Sequence, residues 1–148
     1  MAAHGTQKLF GWFGGPGLAG TSGFFESLGF RPGRMFALAA ALSEMIGGLL
    51  IALGWLGPIG PGLVIIVMVA AALTVHVSKG FFQSDGGWEL NGMIVAAVLP
   101  FAFVGFGAYA LDAVAAVPAI LALNPWLVIA VSVVLGFLNV AARRKPAA

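Results

Sequence analysis

Cysteine is absent from this chain of 148 residues, and charged residues make up only 8% of it. Without cysteine, the chain can form no disulfide and offers no thiolate to a metal or to thiol exchange. Soluble domains carry about 25% charged residues, whereas 61% of this chain is hydrophobic. Such a composition leaves too little polar surface for a soluble fold. It predicts a helical membrane protein with one domain, residues 1–148.

The chain also carries little net charge and few histidines. The formal net charge is only +2, and the basic residues lie at the ends of apolar segments, where membrane topology accounts for them. No nucleic-acid partner is therefore expected. His4 is the only imidazole besides His76, so we expect neither a bis-histidine haem nor a three-histidine metal site.

Four apolar segments are long enough to form membrane helices. We predict helices A to D at residues 35–56, 62–79, 88–111 and 126–142. Residues 1–34 are rich in glycine, and each interior glycine costs a helix about 1 kcal/mol relative to alanine. We expect this segment to be re-entrant or to lie at the membrane interface. The predicted fold is all-α, a polytopic four-helix bundle with a glycine-rich N-terminal segment.

The basic residues are distributed unevenly between the two ends of these helices. All of them fall on the side that carries both termini and the loop between helices B and C: Lys8, Arg31, Arg34, Lys79, Arg143, Arg144 and Lys145. The opposite loops, 57–61 and 112–125, contain no basic residue. By the positive-inside rule, we expect a multi-pass protein of the plasma membrane with both termini in the cytoplasm.

One acid lies in the middle of predicted helix A. Glu44 is about 15 Å along the helix from Arg34, where an acid costs roughly 2.5–3.5 kcal/mol on insertion scales. We expect Glu44 to face protein in its protonated form. Its expected partner is the carbonyl of Ala96, which Pro100 leaves free, or Ser132 on helix D. Such an acid either bonds neighbouring helices together or serves as a proton relay or ligand site.

Polar and aromatic residues gather around the loop between helices B and C. We expect a polar collar at this mouth of the bundle, made by Lys8, Glu26, His76, Lys79, Asp85, Glu89 and Asn91. His76 and Glu89 are predicted to lie within reach of a hydrogen bond or one water. A histidine here either bridges helices, shuttles protons or binds a quinone carbonyl. Trp88 and its aromatic neighbours either anchor the interface or stack on a ring ligand.

The chain contains, in this order, HGTQKLFGWFGGPGLAGTSGFFESLGF, LSEMIGGLLIALGW, TVHVSKGFFQSDGGWEL and GFGAYALDA. These blocks resemble the DoxX family over roughly residues 4–113. The resemblance implies a small four-helix protein of the bacterial inner membrane. It also implies an accessory subunit of a quinone-linked respiratory or sulfur-oxidising system, rather than a stand-alone oxidoreductase. The implied ligand is a quinone, and the candidate residues for a quinone or proton site are Lys8, Glu44, His76, Trp88, Glu89 and Asn91.

Other functions fit the same features. One is a structural scaffold that holds a redox enzyme at the membrane, and another is a small proton or solute transporter that uses Glu44 and His76. The expected partners are the bilayer and a redox-enzyme subunit, and a homo-oligomer is compatible with the sequence.

The chain departs from the DoxX pattern at both ends. Only three residues precede the HGTQKLF block, where the family has a complete helix, and helix D follows where the family usually ends. We predict that helix D takes the place of that first helix. It would then contact helices A and C, with Ser132 and Asn139 pointing inward.

Overall fold

The computed structural model describes residues 1–115 and 123–144, and the regular structure within these ranges is helical. Lys145 and residues 116–122 of the predicted loop 112–125 lie outside the described residues. The helices are α1 Ala2–Phe10, α2 Gly17–Ser27, α3 Gly33–Leu53, α4 Ile59–Ala71, α5 Glu89–Val104, α6 Leu111–Val114 and α7 Pro125–Ala141. A π-helical turn, Ala72–His76, and a 3-10 turn, Val77–Lys79, continue α4.

Predicted helices A, B and D correspond to α3, α4 with its continuation, and α7, with ends that agree to within about three residues. Helix C was predicted to reach residue 111, but α5 ends at Val104. Gly105 has a φ of 76° and Gly107 a φ of 88°. Glycine adopts these angles readily, and they turn the chain out of the right-handed helix.

Two of the helices are long and apolar enough to span a membrane. These are α3 and the continuous segment Ile59–Lys79, each of 21 residues, with mean hydropathies of 2.0 and 2.2. The other two apolar helices, α5 and α7, are shorter, with 16 and 17 residues.

The central helix of the fold is α4, which packs against α3, α5 and α7. The core contains its residues Val64, Ile65, Val67 and Met68, together with Val98 of α5. On one side of α4, Gly60 lies against Gly47 of α3. On another side, Gly62 lies against Ser132 of α7. Small residues allow helix backbones to approach closely, so three helices can share α4 as a neighbour.

The predicted place of helix D is wrong. Helix α7 lies along α4, with Ser132 beside Gly62 and Gly136 beside Val69, and it meets α5 only over a short stretch. Ser132 therefore faces α4 and is not directed at Glu44. The position beside α3 that helix D was expected to fill is taken by α1 and α2.

Helices α1 and α2 form an N-terminal arm that runs antiparallel to α3. Ala2 contacts Gly48, and a Cβ added at Gly5 would lie 2.5 Å from the backbone nitrogen of Met45. At the other end of the arm, α2 meets Gly33 through its Ser22 carbonyl. The arm therefore covers about 22 Å of α3, from Gly48 to Gly33, at about 1.5 Å per residue. Packing along α3 fits the re-entrant alternative of the prediction, and the position of this segment in the bilayer stays a prediction.

Residues 11–16, which we call the connector, break the arm between α1 and α2. Gly11 and Gly14 in the connector each have a φ of 74°, and Gly17 at the start of α2 has a φ of 64°. The glycines thus interrupt the helix, in keeping with the low helix propensity of glycine. Both halves remain packed on α3, because Gly5 and Gly33 let the backbones approach each other closely.

Candidate functional site

A buried ion pair joins the N-terminal arm to α3. The Nζ atom of Lys8 lies 2.6 Å from Oε1 of Glu44. The Glu44 side chain is 1% exposed and that of Lys8 is 19% exposed. Lys8 belongs to α1, which Gly5 brings close to α3. The close contact between the two helices thus places the Lys8 ammonium group beside the Glu44 carboxylate.

Glu44 faces protein, as predicted, but its expected partners were wrong. Pro100 and Ala96 lie at exposed positions of α5, and α5 packs on α4. The acid therefore forms an ion pair with Lys8 in place of the expected neutral hydrogen bond to Ala96 or Ser132. An ammonium group is the stronger partner in a medium of low dielectric constant, because it compensates the carboxylate charge.

The second carboxylate oxygen of Glu44 takes no part in the ion pair. Oε2 is buried and has no hydrogen-bond partner among the described residues. A buried carboxylate oxygen without a partner costs free energy, and it retains the capacity to accept a hydrogen bond or a proton. The ion pair thus combines a compensated charge with an unused acceptor.

A cavity of about 120 Å³ lies beside Lys8, between α2, α3, α4 and α7. Its aromatic wall consists of Phe24, Phe25, Phe30 and Phe36, and small alanines from α3 and α4 form much of the remaining surface. The π-helical turn after α4 adds Thr74 and Val75 to the lining. The polar lining residues are Lys8, Ser43, Thr74 and Asn139.

Two of these polar groups already donate within their own helices. The Thr74 hydroxyl donates to the Ala70 carbonyl at 2.7 Å, and Nδ2 of Asn139 donates to the Leu135 carbonyl at 2.9 Å. The Lys8 ammonium group has three hydrogens, and Glu44 accepts one of them. Lys8 is therefore the strongest remaining donor at the cavity.

Residues at the C-terminal end of α7 hold the part of the cavity wall that contains Phe30. Nε of Arg143 donates to the Leu28 carbonyl at 2.8 Å, and its guanidinium carbon lies 5.8 Å from the centre of the Phe30 ring. The Arg144 amide donates to the Gly29 carbonyl at 2.8 Å. These bonds join α7 to the turn between α2 and α3. They hold Leu28 and Phe30 where they line the cavity.

The predicted collar divides into separate groups. Lys8 pairs with Glu44 near the middle of α3, and it lines the cavity together with Thr74 and Val75. Asn91 is buried, and its Nδ2 lies 3.7 Å from the sulfur of Met68. His76, Trp88 and Glu89 lie around the loop at residues 80–88, and they are not among the residues that line the cavity.

His76 and Glu89 each bond the backbone of that loop. Nδ1 of His76 lies 2.7 Å from the Gly86 carbonyl, which only accepts, so this nitrogen donates. Oε2 of Glu89 accepts from the Gln83 amide at 2.8 Å. Among the described hydrogen bonds none joins His76 to Glu89, and Trp88 packs edge-to-face on Phe81 at 5.0 Å. These contacts hold the loop together.

Replacing His76 with alanine is expected to loosen this loop. The variant loses the bond to Gly86, a net cost of about 1 kcal/mol, so chymotrypsin should cleave faster after Phe81 and Phe82. Val77→Ala, at an exposed neighbouring position, is the control. Equal cleavage of both variants would show that the His76 bond does not stabilise the loop.

Reasoning from the sequence missed the aromatic wall and the role of Asp112. The pair Phe24 and Phe25 was visible, but nothing local shows that it faces α4. Asp112 accepts from the amides of Leu56 at 2.9 Å and Gly57 at 2.8 Å. Its place in the GFGAYALDA block was the available signal.

The fold and this site define a small helical membrane protein with a charged pair inside the helix packing. A DoxX family model matches residues 1–77, more than half of the chain, and the chain therefore belongs to the DoxX family. The matched region contains the N-terminal arm, α3, α4, both members of the ion pair and most of the cavity lining. No curated protein and no solved structure matches the chain significantly.

Proposed function

We propose that the chain is an integral membrane subunit of a quinone-linked redox system, and that the cavity beside Lys8 receives the quinone head group. The observation that carries this proposal is the cavity itself, which combines an aromatic wall with one strong hydrogen-bond donor. The quinone-linked role is what the resemblance to the DoxX family implies. Binding sites for small molecules typically have this mixture of apolar lining and a few polar groups.

The volume of the cavity supports a ligand with one ring. A cavity of about 150 Å³ in another protein holds a benzene molecule, and this cavity measures about 120 Å³. Because this cavity is the smaller of the two, a single six-membered ring with few substituents is the largest ring system that it supports, and Phe25 and Phe36 are among the side chains that could pack on it. A longer apolar tail would have to leave the cavity towards lipid.

The charges favour a neutral ligand. Glu44 compensates the Lys8 ammonium group at 2.6 Å, so an anionic head group would meet no net positive charge from this pair. A carbonyl oxygen needs only a hydrogen-bond donor, and Lys8 has hydrogens beyond the one given to Glu44. A neutral quinone suits this site better than a fatty acid or a phosphate does.

An accessory role fits these side chains better than a stand-alone enzyme does. The residues of the cavity bind and orient a ring, and the chain has no cysteine for thiol redox chemistry. In this proposal a partner subunit exchanges electrons with the bound quinone.

Filling the cavity is expected to weaken quinone binding. The Ala40→Leu variant adds bulk to a residue that lines the cavity. It should raise the Kd of a short-chain alkyl-1,4-benzoquinone without methoxy groups at least about tenfold, or about 1.4 kcal/mol, in calorimetry on protein in nanodiscs. Ala130→Leu, at an exposed position of α7, makes the same change elsewhere and should bind normally.

Equal binding by the two variants would place the quinone elsewhere or exclude it from this protein. If the unaltered protein does not bind the analogue but a soluble oxidoreductase co-purifies with it, the scaffold function is favoured.

The unused oxygen of Glu44 favours proton transfer as a second candidate function. Oε2 is buried without a partner, and a proton-accepting group inside a membrane helix often belongs to a relay. Proton flux into liposomes that contain only this chain, lost in Glu44→Gln, would support it. Flux equal to that of empty liposomes would exclude it.

A further inference from the structure

Arginines from opposite ends of the sequence come together at one end of the helix packing. The Arg144 amide donates to the Gly29 carbonyl at 2.8 Å, and the two backbones pack directly on each other. Arg31 follows two residues after Gly29, and Arg34 lies in the first turn of α3. Two residues of chain span at most about 7 Å, and three span at most about 11 Å. These residues and Arg143 therefore share one small region, which we call the arginine cluster.

Three of the side chains in the arginine cluster are available to a ligand. Arg31, Arg34 and Arg144 are exposed. Within residues 1–115 and 123–144, the only ion pair is the buried one beside the cavity. The Arg144 bond to the neighbouring turn uses only its backbone, so its guanidinium group keeps all of its donors. Arg143 differs, since its Nε already donates to the Leu28 carbonyl.

Little negative charge balances the arginine cluster. Glu26 is the acid nearest to it in the chain, and its carboxyl carbon lies 3.1 Å from the position that a Cβ of Gly33 would take. In the described part of the chain, this acid forms no ion pair with the arginines. The N-terminus of α3 adds a partial positive charge, and its first turn contains no acidic residue. Four guanidinium groups against one carboxylate leave a net charge of +3.

The surface beside the arginine cluster is apolar. Met35 follows Arg34 in α3, and Leu38 lies one turn further along on the same face as Arg34. Both apolar side chains are exposed, and α3 is long and apolar enough to span a membrane. A ligand that uses this whole surface needs an anionic group at one end and an apolar chain behind it.

We propose that the arginine cluster binds the head group of an anionic phospholipid, whose acyl chains lie along the exposed face of α3. Arginine suits a phosphate group because its planar guanidinium can donate two parallel hydrogen bonds to two oxygens. A free phosphate ion would use the charge alone, whereas a phospholipid also covers Met35 and Leu38. This site lies outside the cavity, so the inference does not depend on quinone binding.

Native mass spectrometry of the full chain with added phosphatidylglycerol measures this binding. We expect the unaltered protein to prefer phosphatidylglycerol to phosphatidylcholine, whose head group has no net charge. Each basic residue near the membrane surface adds about fivefold to the affinity for an anionic lipid. Arg31→Gln, Arg34→Gln and Arg144→Gln should therefore each raise the Kd for phosphatidylglycerol about fivefold, and the triple variant should raise it about a hundredfold.

Lys79→Gln is the matched control, because it removes one exposed positive charge outside the arginine cluster. The Lys79 side chain lies against Gly86 in the loop that follows α4. This variant should bind phosphatidylglycerol as the unaltered protein does. An equal loss in Lys79→Gln and in the single arginine variants would show attraction by overall charge and would overturn the site. Equal affinity of the unaltered protein for the two lipids would overturn it as well.

A second triple variant guards against a loss of binding through misfolding. Arg31→Lys, Arg34→Lys and Arg144→Lys together keep the positive charge but remove the paired donors, so this protein should bind more tightly than the triple glutamine variant. Equal loss in both triple variants would overturn the electrostatic basis of the site.

Competition experiments test the choice of a lipid. Displacement of phosphatidylglycerol by an equal concentration of inorganic phosphate would identify a free anion as the ligand and overturn the lipid. An acidic soluble protein that co-purifies with the unaltered chain, and is lost in the triple glutamine variant while phosphatidylglycerol binding persists, would overturn it too.

Discussion

Replacing Lys8 with methionine is expected to lower the free energy of unfolding by about 3–5 kcal/mol, because it leaves a buried carboxylate without its ionic partner. Glu44 is 1% exposed, so the acid cannot turn towards water without moving α1 or α3. Methionine keeps an unbranched side chain and a good helix propensity, so the lost charge is the main change. Thermal and denaturant unfolding in detergent, followed by circular dichroism, measures the loss.

The partner variant Glu44→Gln should cost less. It leaves the ammonium group of Lys8, which is 19% exposed, and a lysine side chain can extend its charge towards a more polar environment. The sequence alone predicted a protonated acid, for which this change would be nearly neutral. The ion pair predicts a measurable loss instead.

The double variant Lys8→Met and Glu44→Leu tests the cause. It removes both charges together, and replacing a buried ion pair with apolar residues is often neutral or stabilising. We expect it to be more stable than Lys8→Met alone. If Lys8→Met is as stable as the unaltered protein, then Lys8 does not compensate Glu44.

The helices were predictable because their signal is local. Runs of apolar residues identify α3, α4 and α7. In the structure Oδ1 of Asn124 caps the start of α7 by accepting from the Trp126 amide at 2.9 Å. The early end of α5 was missed because Gly105 and Gly107 do not interrupt the apolar run that follows Trp88.

The candidate site was less predictable because its contacts are distant in sequence. Lys8 and Glu44 are 36 residues apart, and their contact depends on Gly5 packing against α3. The glycine content of residues 1–34 predicted a segment unsuited to one continuous helix. It gave no information about the packing of the two halves, because close approach of glycine to a backbone depends on the partner surface.

His76 and Glu89 show a second reason why the contacts of polar side chains were hard to predict from the sequence. Their depth in the predicted helices was estimated well enough to place both near one loop. The direction of each side chain depends on the loop backbone, where the Gly86 carbonyl and the Gln83 amide provide nearer partners. Depth along a helix follows from residue spacing, whereas a hydrogen-bond partner in an irregular loop does not.

Replacing Asp112 with alanine is expected to destabilise the opposite end of the fold. The two carboxylate oxygens accept from the amides of Leu56 and Gly57, and the Asp112 amide donates to the Gly54 carbonyl at 3.0 Å. This one residue thus links α6 to the turn that follows α3. A hydrogen bond to a charged group contributes about 1.5–3 kcal/mol, and two such bonds at half-buried positions are lost here.

The turn needs this support because its backbone conformation is unfavourable. Leu56 has a φ of 62°, and a left-handed conformation costs a residue other than glycine about 1–3 kcal/mol. Without the carboxylate, the turn should relax towards other conformations. The amides of Leu56 and Gly57 should then exchange faster with deuterium, while amides in the middle of α3 keep their protection.

Two further variants separate charge from geometry. Asp112→Asn keeps one acceptor oxygen and places a donor near the other amide, so we expect a loss smaller than that of Asp112→Ala. Asp85→Ala removes an exposed acid from the loop at the other end and should change stability little. Unchanged deuterium exchange at Leu56 and Gly57 in Asp112→Ala would show that the carboxylate does not hold this turn, whatever happens to overall stability.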